Sequence, residues 1–276
     1  MTAITAARFE RPRAKAEDMA VDLWEWSTPQ PDGQTVLEAV FALPYRVGHD
    51  RPVDAPTLPV KKDRVQYKRM LEHSWGVTSA DETRQMMEML IAGDMHTTSL
   101  DAVLHTAEML TGEFAPQEWR SKDFAERRRT MEIFLEHLAI SNWMDPKQLW
   151  TDFDHWIAVR THPSFANVNA PSAPATTRAW DIMRVEMTGA TAVLVGLITP
   201  EEYSSYASRA VAELQKHFRS WADAAASFWW GRAIWSADTI RDNADDMQGE
   251  LQLFDHILTE ALIDPNSPWR RFPLHA

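Results

Sequence analysis

The sequence predicts an all-α protein, and three observations support that prediction. Four positions pair an oxygen-bearing residue with a carboxylate or amide three residues later, which is the capping-box pattern found at helix starts. Beyond residue 65 the prolines become sparse, and several of them stand at these helix starts. No segment alternates apolar and polar residues with a period of two over more than a few positions, so strands are minor at most.

The four capping pairs begin four of the predicted helices. They are Ser79 with Glu82, Asp145 with Gln148, Thr199 with Glu202, and Ser220 with Asp223. Each cap of this kind stabilises its helix by about 1 kcal/mol. Together with the helical spacing of apolar residues, they predict helices near residues 65–74, 80–92, 99–110, 117–140, 146–160, 178–197, 200–218, 221–236 and 247–262.

The first 65 residues have a different character from the rest of the chain. They contain seven prolines and one short apolar stretch, from Val36 to Leu43. Because proline lacks a backbone N–H and restricts both its own φ and the preceding residue, this density excludes long helices. The sequence therefore predicts a mostly irregular, proline-rich arm over residues 1–65, packed on a single multi-helix globular domain over residues 66–276.

Composition excludes several classes of function. The chain has 276 residues, a formal net charge of −12 and no cysteine, so disulfides, thiolate metal sites and cysteine nucleophiles are ruled out. The acidic residues are spread along the chain and repel phosphate backbones, so no nucleic-acid partner is expected. The compact basic run at Arg127 to Arg129 lies in a predicted helix beside Glu126 and Glu132, which is typical of a solvated helix face.

The sequence also predicts no association with membranes. The first twenty residues carry charges throughout and lack the apolar block of a secretory signal. The longest apolar run, around Val193 to Ile198, is too short to cross a bilayer. A cytoplasmic location is therefore expected.

Arginine side chains fall on the apolar faces of two predicted helices. In helix 221–236, Arg232 lies within the stripe formed by Trp221, Phe228 and Trp235. Such a guanidinium is costly to bury unless it is paired with a carboxylate, stacked on an indole, or open to water.

Helix 178–197 repeats this arrangement, with Arg184 at the edge of a stripe that contains Trp180 and three residues from Asp181. Two interpretations stay open. One is a satisfied ion pair that fixes how the helices cross. The other is a cleft for a ligand or substrate, whose candidate residues are Trp180, Asp181, Arg184, Trp221 and Arg232.

Trp230 and Ile234 point to the opposite side of helix 221–236. Either this helix is buried on both sides, or these two side chains form a patch that contacts a partner. They are accordingly candidate partner-surface residues.

Two segments resemble a known family: "LEHSWGVTSADETRQMMEMLIAGDMH" (71–96) and "AWDIMRVEMTGATAVLVGLITPEEYSSYASRAVAELQKHFRSWADAAASFWWGRAIW" (179–235). They are similar to the bacterial family of domains of unknown function 1266, which includes the YbeU and YbeR proteins, over about residues 66–237. The resemblance implies a cytoplasmic α-helical domain and brings no known activity or catalytic residues. The positions that it emphasises are Trp180, Asp181, Arg184, Ser220, Trp221 and Gly231.

A search for motifs of known chemistry finds no glycine-rich phosphate loop, nucleophile elbow or His-Glu-x-x-His helix. Asp152, Asp154, His155 and His162 form a local cluster that would need further ligands to hold a metal, so neither metal nor cofactor is expected.

We therefore expect a non-enzymatic protein that binds another protein, with capture of a basic partner by an acidic immunity or inhibitor protein as one form. The alternative is an enzyme or small-molecule binder that uses the cleft of tryptophan, aspartate and arginine residues. A third reading is an assembly subunit with self-contacts through Trp230 and the proline-rich arm. The sequence leaves the oligomeric state open.

Overall fold

The predicted fold class is confirmed for the residues that the computed structural model describes, which are 23–26, 33–48, 52–54, 64–111, 121–161, 171–237 and 240–275. Within these ranges the regular structure is helical and no strand is present. The helices are α1 (Gly33–Val40), α2 (Leu43–Val47), α3 (Arg64–Trp75), α4 (Ala80–Ala92), α5 (Thr97–Thr111), α6 (Lys122–Ser141), α7 (Pro146–Thr161), α8 (Arg178–Val195), α9 (Pro200–His217), α10 (Trp221–Ser236), α11 (Ile240–Ile263) and α12 (Pro268–Arg271).

Two of the four predicted capping boxes are complete. At α4, Ser79 accepts a hydrogen bond from the backbone N–H of Glu82, whose carboxylate accepts from the backbone of Ser79. Thr199 and Glu202 make the same reciprocal pair at α9. These two helices therefore begin where the capping boxes in the sequence predict.

The other two starts use a simpler cap. The Ser220 hydroxyl accepts from the backbone N–H of Asp223 at 3.2 Å. The Asp145 carboxylate accepts from the backbone N–H of Lys147, whereas the Gln148 amide donates to Asp152 instead of completing a box.

The chain forms two compact units, and each unit is built from separate segments. The first unit comprises Met1–Met95, Asp181–Ala225 and His256–Ala276, and the second comprises His96–Trp180 and Ala226–Asp255. Helices α8, α10 and α11 therefore each contribute residues to both units.

In the first unit, α9 packs against α1 and α4. The side chains that α9 buries are Tyr203, Ala207, Ala210, Val211 and Leu214. The N-terminal segments of this unit are held by polar contacts as well as by apolar packing. Arg46 of α2 donates from Nη1 to the carbonyl of Val53 at 2.7 Å, and Trp24 donates from Nε1 to Asp264 at 2.6 Å.

In the second unit, α5, α6 and α7 pack on one another in pairs. Helix α6 contributes Phe124, Met131, Leu135 and Ala139 to the buried interior. None of the helices that the structure describes is long and apolar enough to cross a membrane.

Candidate functional site

Asp181 and Arg184 form a buried ion pair within the part of α8 that belongs to the first unit. Asp181 is 0% exposed and Arg184 is 4% exposed, and the Arg184 guanidinium donates to the Asp181 carboxylate one turn away. The same guanidinium lies 5.4 Å from the centre of the Trp75 ring, within cation–π range. The two charges are therefore paired in the interior, and burial leaves the guanidinium little access to solvent.

A second buried ion pair lies two residues further along α8. The Arg46 Nε is 3.3 Å from the Glu186 carboxylate, and these side chains are 1% and 0% exposed. The Arg46 guanidinium also donates to the Tyr203 hydroxyl at 3.5 Å. Sequence analysis missed this pair because its members are far apart in the chain and neither belongs to a local motif.

Trp221 contacts the C-terminal segment of the first unit. Its ring stacks on Trp269 with the ring centres 4.9 Å apart and the planes 3° from parallel. Its Nε1 donates to the carbonyl of Phe272 at 2.8 Å, and the residue is 4% exposed. Trp221 is therefore buried with its one polar atom satisfied.

Trp180 and Arg232 meet around Trp235 in the second unit. The Trp180 ring centre is 5.7 Å from that of Trp235 and 5.0 Å from that of His96. The Arg232 guanidinium is 4.9 Å from the centre of the Trp235 ring and 5.4 Å from that of Phe254. Trp235 was expected on a buried stripe, but it is 43% exposed.

Within each unit, the predicted cleft residues make contacts in separate small groups. Asp181 pairs with Arg184 in the first unit, where Trp221 stacks on Trp269. Trp180 and Arg232 share contact with Trp235 in the second unit.

Trp230 and Ile234 do not form an exposed patch in this structure, because both are 0% exposed. The Trp230 Nε1 donates to the carbonyl of Pro171 at 2.9 Å, and the Arg160 guanidinium lies 5.6 Å from the centre of its ring. Phe228, on the other side of the same helix, is also 0% exposed. Of the two alternatives for α10, burial on both sides is the one observed, and it corrects the assignment of Trp230 and Ile234 to a partner surface.

Gly231 allows α10 to approach Trp180 closely. A Cβ atom added at this glycine would lie 2.6 Å from the Trp180 Cβ and 3.0 Å from its Cγ. The first of these distances is shorter than any normal carbon contact, so a larger residue would force the backbone apart. Trp180 and Gly231, two positions that the sequence resemblance emphasises, therefore pack directly against each other.

Asp152 is the buried member of the histidine and aspartate cluster. It is 4% exposed and accepts a hydrogen bond from Gln148 at 2.8 Å, and its burial raises its pKa. Burial also raises the pKa of Asp255 to about 6. His162 lies outside the described residues. Among the described residues, no three histidine, aspartate or glutamate side chains are grouped so as to hold a metal ion.

Carboxylates cluster where α4 and α9 begin. Arg84 joins the two helix starts, because its guanidinium nitrogens lie 2.8 Å from carboxylate oxygens of both Asp81 and Glu202. Hydrogen bonds from Thr78 lower the pKa of Glu82 to about 2, and the backbone hydrogen bond from Thr199 lowers the pKa of Glu202. This surface keeps its negative charge well below neutral pH.

Comparison with known proteins identifies the family but no relative of known structure. The model of a family described as "Protein of unknown function (DUF1266)" matches residues 70–274. No curated protein and no solved structure matches the chain. The match extends past residue 237 and includes the C-terminal segment on which Trp221 packs. Because the match spans most of the sequence, the chain belongs to the DUF1266 family of proteins of unknown function.

Proposed function

We propose that this protein acts by binding a basic protein and that it has no enzymatic activity of its own. The observation that supports this proposal is the net charge of −12, spread over the whole sequence. A protein with this net charge attracts basic proteins over a distance of about one Debye length, roughly 8 to 10 Å at 0.1 to 0.15 M salt.

Three surface carboxylates keep their negative charge even in mildly acidic solution. The pKa values of Glu82, Glu201 and Glu202 are all lowered, so these groups stay charged at any physiological pH. Basic residues can neutralise only part of this negative charge, because the chain has 40 acidic and 28 basic residues.

The buried arginines support a binding role rather than catalysis. Asp181 and Arg184 neutralise each other in the interior, and Arg46 and Glu186 do the same. Groups paired in this way are poorly placed to receive a substrate, because binding it would break the pair. An immunity or inhibitor protein, acting in the cytoplasm on a basic or toxic partner, is the form of this function that best fits the charge.

The experiment is capture by the tagged full-length protein from its native cells, at about 50 mM and about 500 mM salt. The captured protein is then identified by mass spectrometry, purified, and its association rate measured across salt concentration. We expect a basic partner whose association slows steeply as salt is added. A tight complex with a neutral or acidic partner, or one that forms equally fast at both salt concentrations, would contradict the proposal.

A charge variant makes the test specific. Glu72, Glu201 and Asp223 are exposed, and replacing them with Gln, Gln and Asn removes three negative charges from the first unit. This variant should associate more slowly at low salt and almost normally at high salt. The matched control exchanges the same residues for Asp, Asp and Glu, which keeps the charge and should keep the rate.

One observation favours a second candidate function, the binding of a planar anionic small molecule. Trp235 is 43% exposed, and the Arg232 guanidinium lies over its ring beside Trp180. Indoles stack on planar groups, and arginine pairs with phosphate or carboxylate. Titration with a nucleoside monophosphate should then quench tryptophan fluorescence in the unchanged protein but not in Arg232→Met, and absence of quenching in both would remove this candidate.

A further inference from the structure

A tryptophan stands just after helix α6, at a position that ordinarily belongs to glycine. The cap residue of α6 is Asn142, and the backbone N–H of Met144 donates to the carbonyl of Ala139 at 2.9 Å. This long hydrogen bond is the signature of a Schellman motif, in which the residue after the cap is left-handed. Trp143 is that residue, and its φ is 56°. Glycine is usual there because a Cβ atom strains the backbone in this conformation.

The fold gains no burial in return for this strain. Trp143 is 98% exposed, whereas no other tryptophan among the described residues is more than 43% exposed. A left-handed bulky residue is a backbone outlier, and such outliers are concentrated at functional sites. Because neither the strain nor the exposure helps the chain to fold, we look for the role of Trp143 in contact with another molecule.

The charges near Trp143 indicate what that molecule carries. Residues 131–146 contain three acidic residues and no lysine or arginine, and the next basic residue is Lys147. The last turn of α6 has no basic side chain to offset the negative end of the helix dipole. Glu136 and Asp145 are both exposed. This end of α6 therefore attracts a cation and repels an anionic surface.

An indole has the chemistry to bind such a cation. The face of a tryptophan ring attracts a guanidinium more strongly than the ring of any other side chain does, and the planar arginine head stacks on it with little loss of hydration. The chain itself uses this contact twice, because Arg184 lies 5.4 Å from the centre of the Trp75 ring and Arg232 lies 4.9 Å from that of Trp235. The exposed ring of Trp143 is open to an arginine from outside the chain.

We propose that Trp143 is the anchor for the basic partner, and that an arginine of that partner stacks on its indole beside the carboxylates of Glu136 and Asp145. This inference rests on the proposed function and adds the point of contact. The net charge of the protein then governs how fast the partner arrives, and the anchor governs how slowly it leaves.

The first experiment tests the contact without the partner. Full-length protein labelled with fluorotryptophan gives a fluorine NMR signal for each tryptophan, and the signal that is lost in Trp143→Gly belongs to Trp143. A blocked tetra-arginine peptide should shift this signal progressively and leave those of the buried Trp180 and Trp230 in place. A tetra-glutamate peptide of the same length should shift none of them.

Charge variants test the contribution of the two carboxylates. Glu136→Gln with Asp145→Asn should weaken binding of the arginine peptide by about two- to fivefold, which is the usual range for two exposed charges. Asparagine at position 145 still caps the start of α7, so the fold is retained. The matched control removes two exposed charges from the first unit, with Glu72→Gln and Asp223→Asn, and should bind the peptide as the unchanged protein does.

The glycine variant separates binding from folding. Because glycine adopts the left-handed conformation without strain, Trp143→Gly should unfold at a higher urea concentration than the unchanged protein while it loses the arginine peptide. A change that stabilises the fold and abolishes binding is not explained by a structural role for the indole.

The second experiment uses the partner identified by capture from native cells. Trp143→Gly should speed dissociation of that complex by about tenfold or more and leave the association rate nearly unchanged. The variant that lacks the charges of the first unit should do the reverse.

Three results would each overturn this inference alone. They are a Trp143 signal that the arginine peptide leaves in place, a glycine variant that releases the partner as slowly as the unchanged protein, and a Trp143 signal that moves with phosphatidylcholine vesicles but not with the peptide. Capture that returns no basic partner would instead remove the proposed function, and this inference with it.

Discussion

At the scale of single residues, four buried charged side chains of the first unit form two ion pairs. Arg184 is matched by Asp181 and covered by the Trp75 ring, and Arg46 is matched by Glu186. Charges taken out of water cost several kcal/mol each, and this cost is offset only when each charge has a close partner. Removing one member of a pair therefore leaves the charge of the other buried and uncompensated.

The first prediction is that Arg184→Met destabilises the protein by about 3 to 5 kcal/mol, because it leaves the buried Asp181 carboxylate without its guanidinium. Urea unfolding followed by tryptophan fluorescence measures this change. The double variant with Asp181→Asn removes both charges and should recover much of the loss. A decrease below about 1 kcal/mol in the single variant would instead favour an arginine that opens to a ligand cleft.

Sequence reasoning found those site residues whose partners lie close by in the chain. Asp181 and Arg184 are one helical turn apart, so their pairing could be predicted from spacing alone. Glu186 was missed because its partner, Arg46, comes from a distant segment that only tertiary packing brings near. The burial of Trp230 also depends on distant residues, namely Pro171 and Arg160, and helical periodicity could only leave it as one of two alternatives.

At the scale of helices, the four starts that carry a predicted cap agree with the structure to the residue, because a cap is a contact within four residues. The starts of α4 and α9 both fall one residue after their predicted caps. Helix α11 begins at Ile240, seven residues before its predicted start. Ile240, Ala244 and Met247 have helical spacing, but the acidic residues between them obscured this pattern in the sequence analysis. Helices α1, α2 and α12 have only eight, five and four residues, which is too short for a periodic pattern to emerge.

The second prediction concerns the start of α9. Thr199→Ala should cost about 1 kcal/mol in the free energy of unfolding, because the hydroxyl that accepts from the backbone N–H of Glu202 at 3.2 Å is lost. Thr199→Ser retains a hydroxyl and should cost little. If denaturant titration shows equal losses for both substitutions, the stabilising contact is the threonine methyl group and not the cap.

At the scale of the whole molecule, the all-α class could be predicted but the division into two units could not. Helix class follows from capping and periodicity, which are local properties of the sequence. Three of the four unit boundaries fall inside α8, α10 and α11, where no glycine-rich or proline-rich linker marks them. The assembly of each unit depends on contacts between distant segments, and one such contact is made by Trp269.

Trp269 joins three separate segments of the first unit, and this role leads to the third prediction. The residue is 3% exposed, stacks on Trp221 of α10, and donates from Nε1 to the carbonyl of Val40 in α1 at 2.9 Å. Trp269→Ala should therefore cost about 3 to 5 kcal/mol, the usual range for emptying a large aromatic site. Trp269→Phe keeps a ring against Trp221 but loses the hydrogen bond, so a smaller loss is expected.

The measurement is urea unfolding in dilute solution, with Trp143→Ala as the control because that tryptophan is 98% exposed and makes little contact with the folded chain. The control should unfold at the same urea concentration as the unchanged protein. If Trp269→Ala also unfolds at the urea concentration of the unchanged protein, the C-terminal segment contributes little to the stability of the first unit. The extension of the family match to residue 274 would then need a reason other than folding.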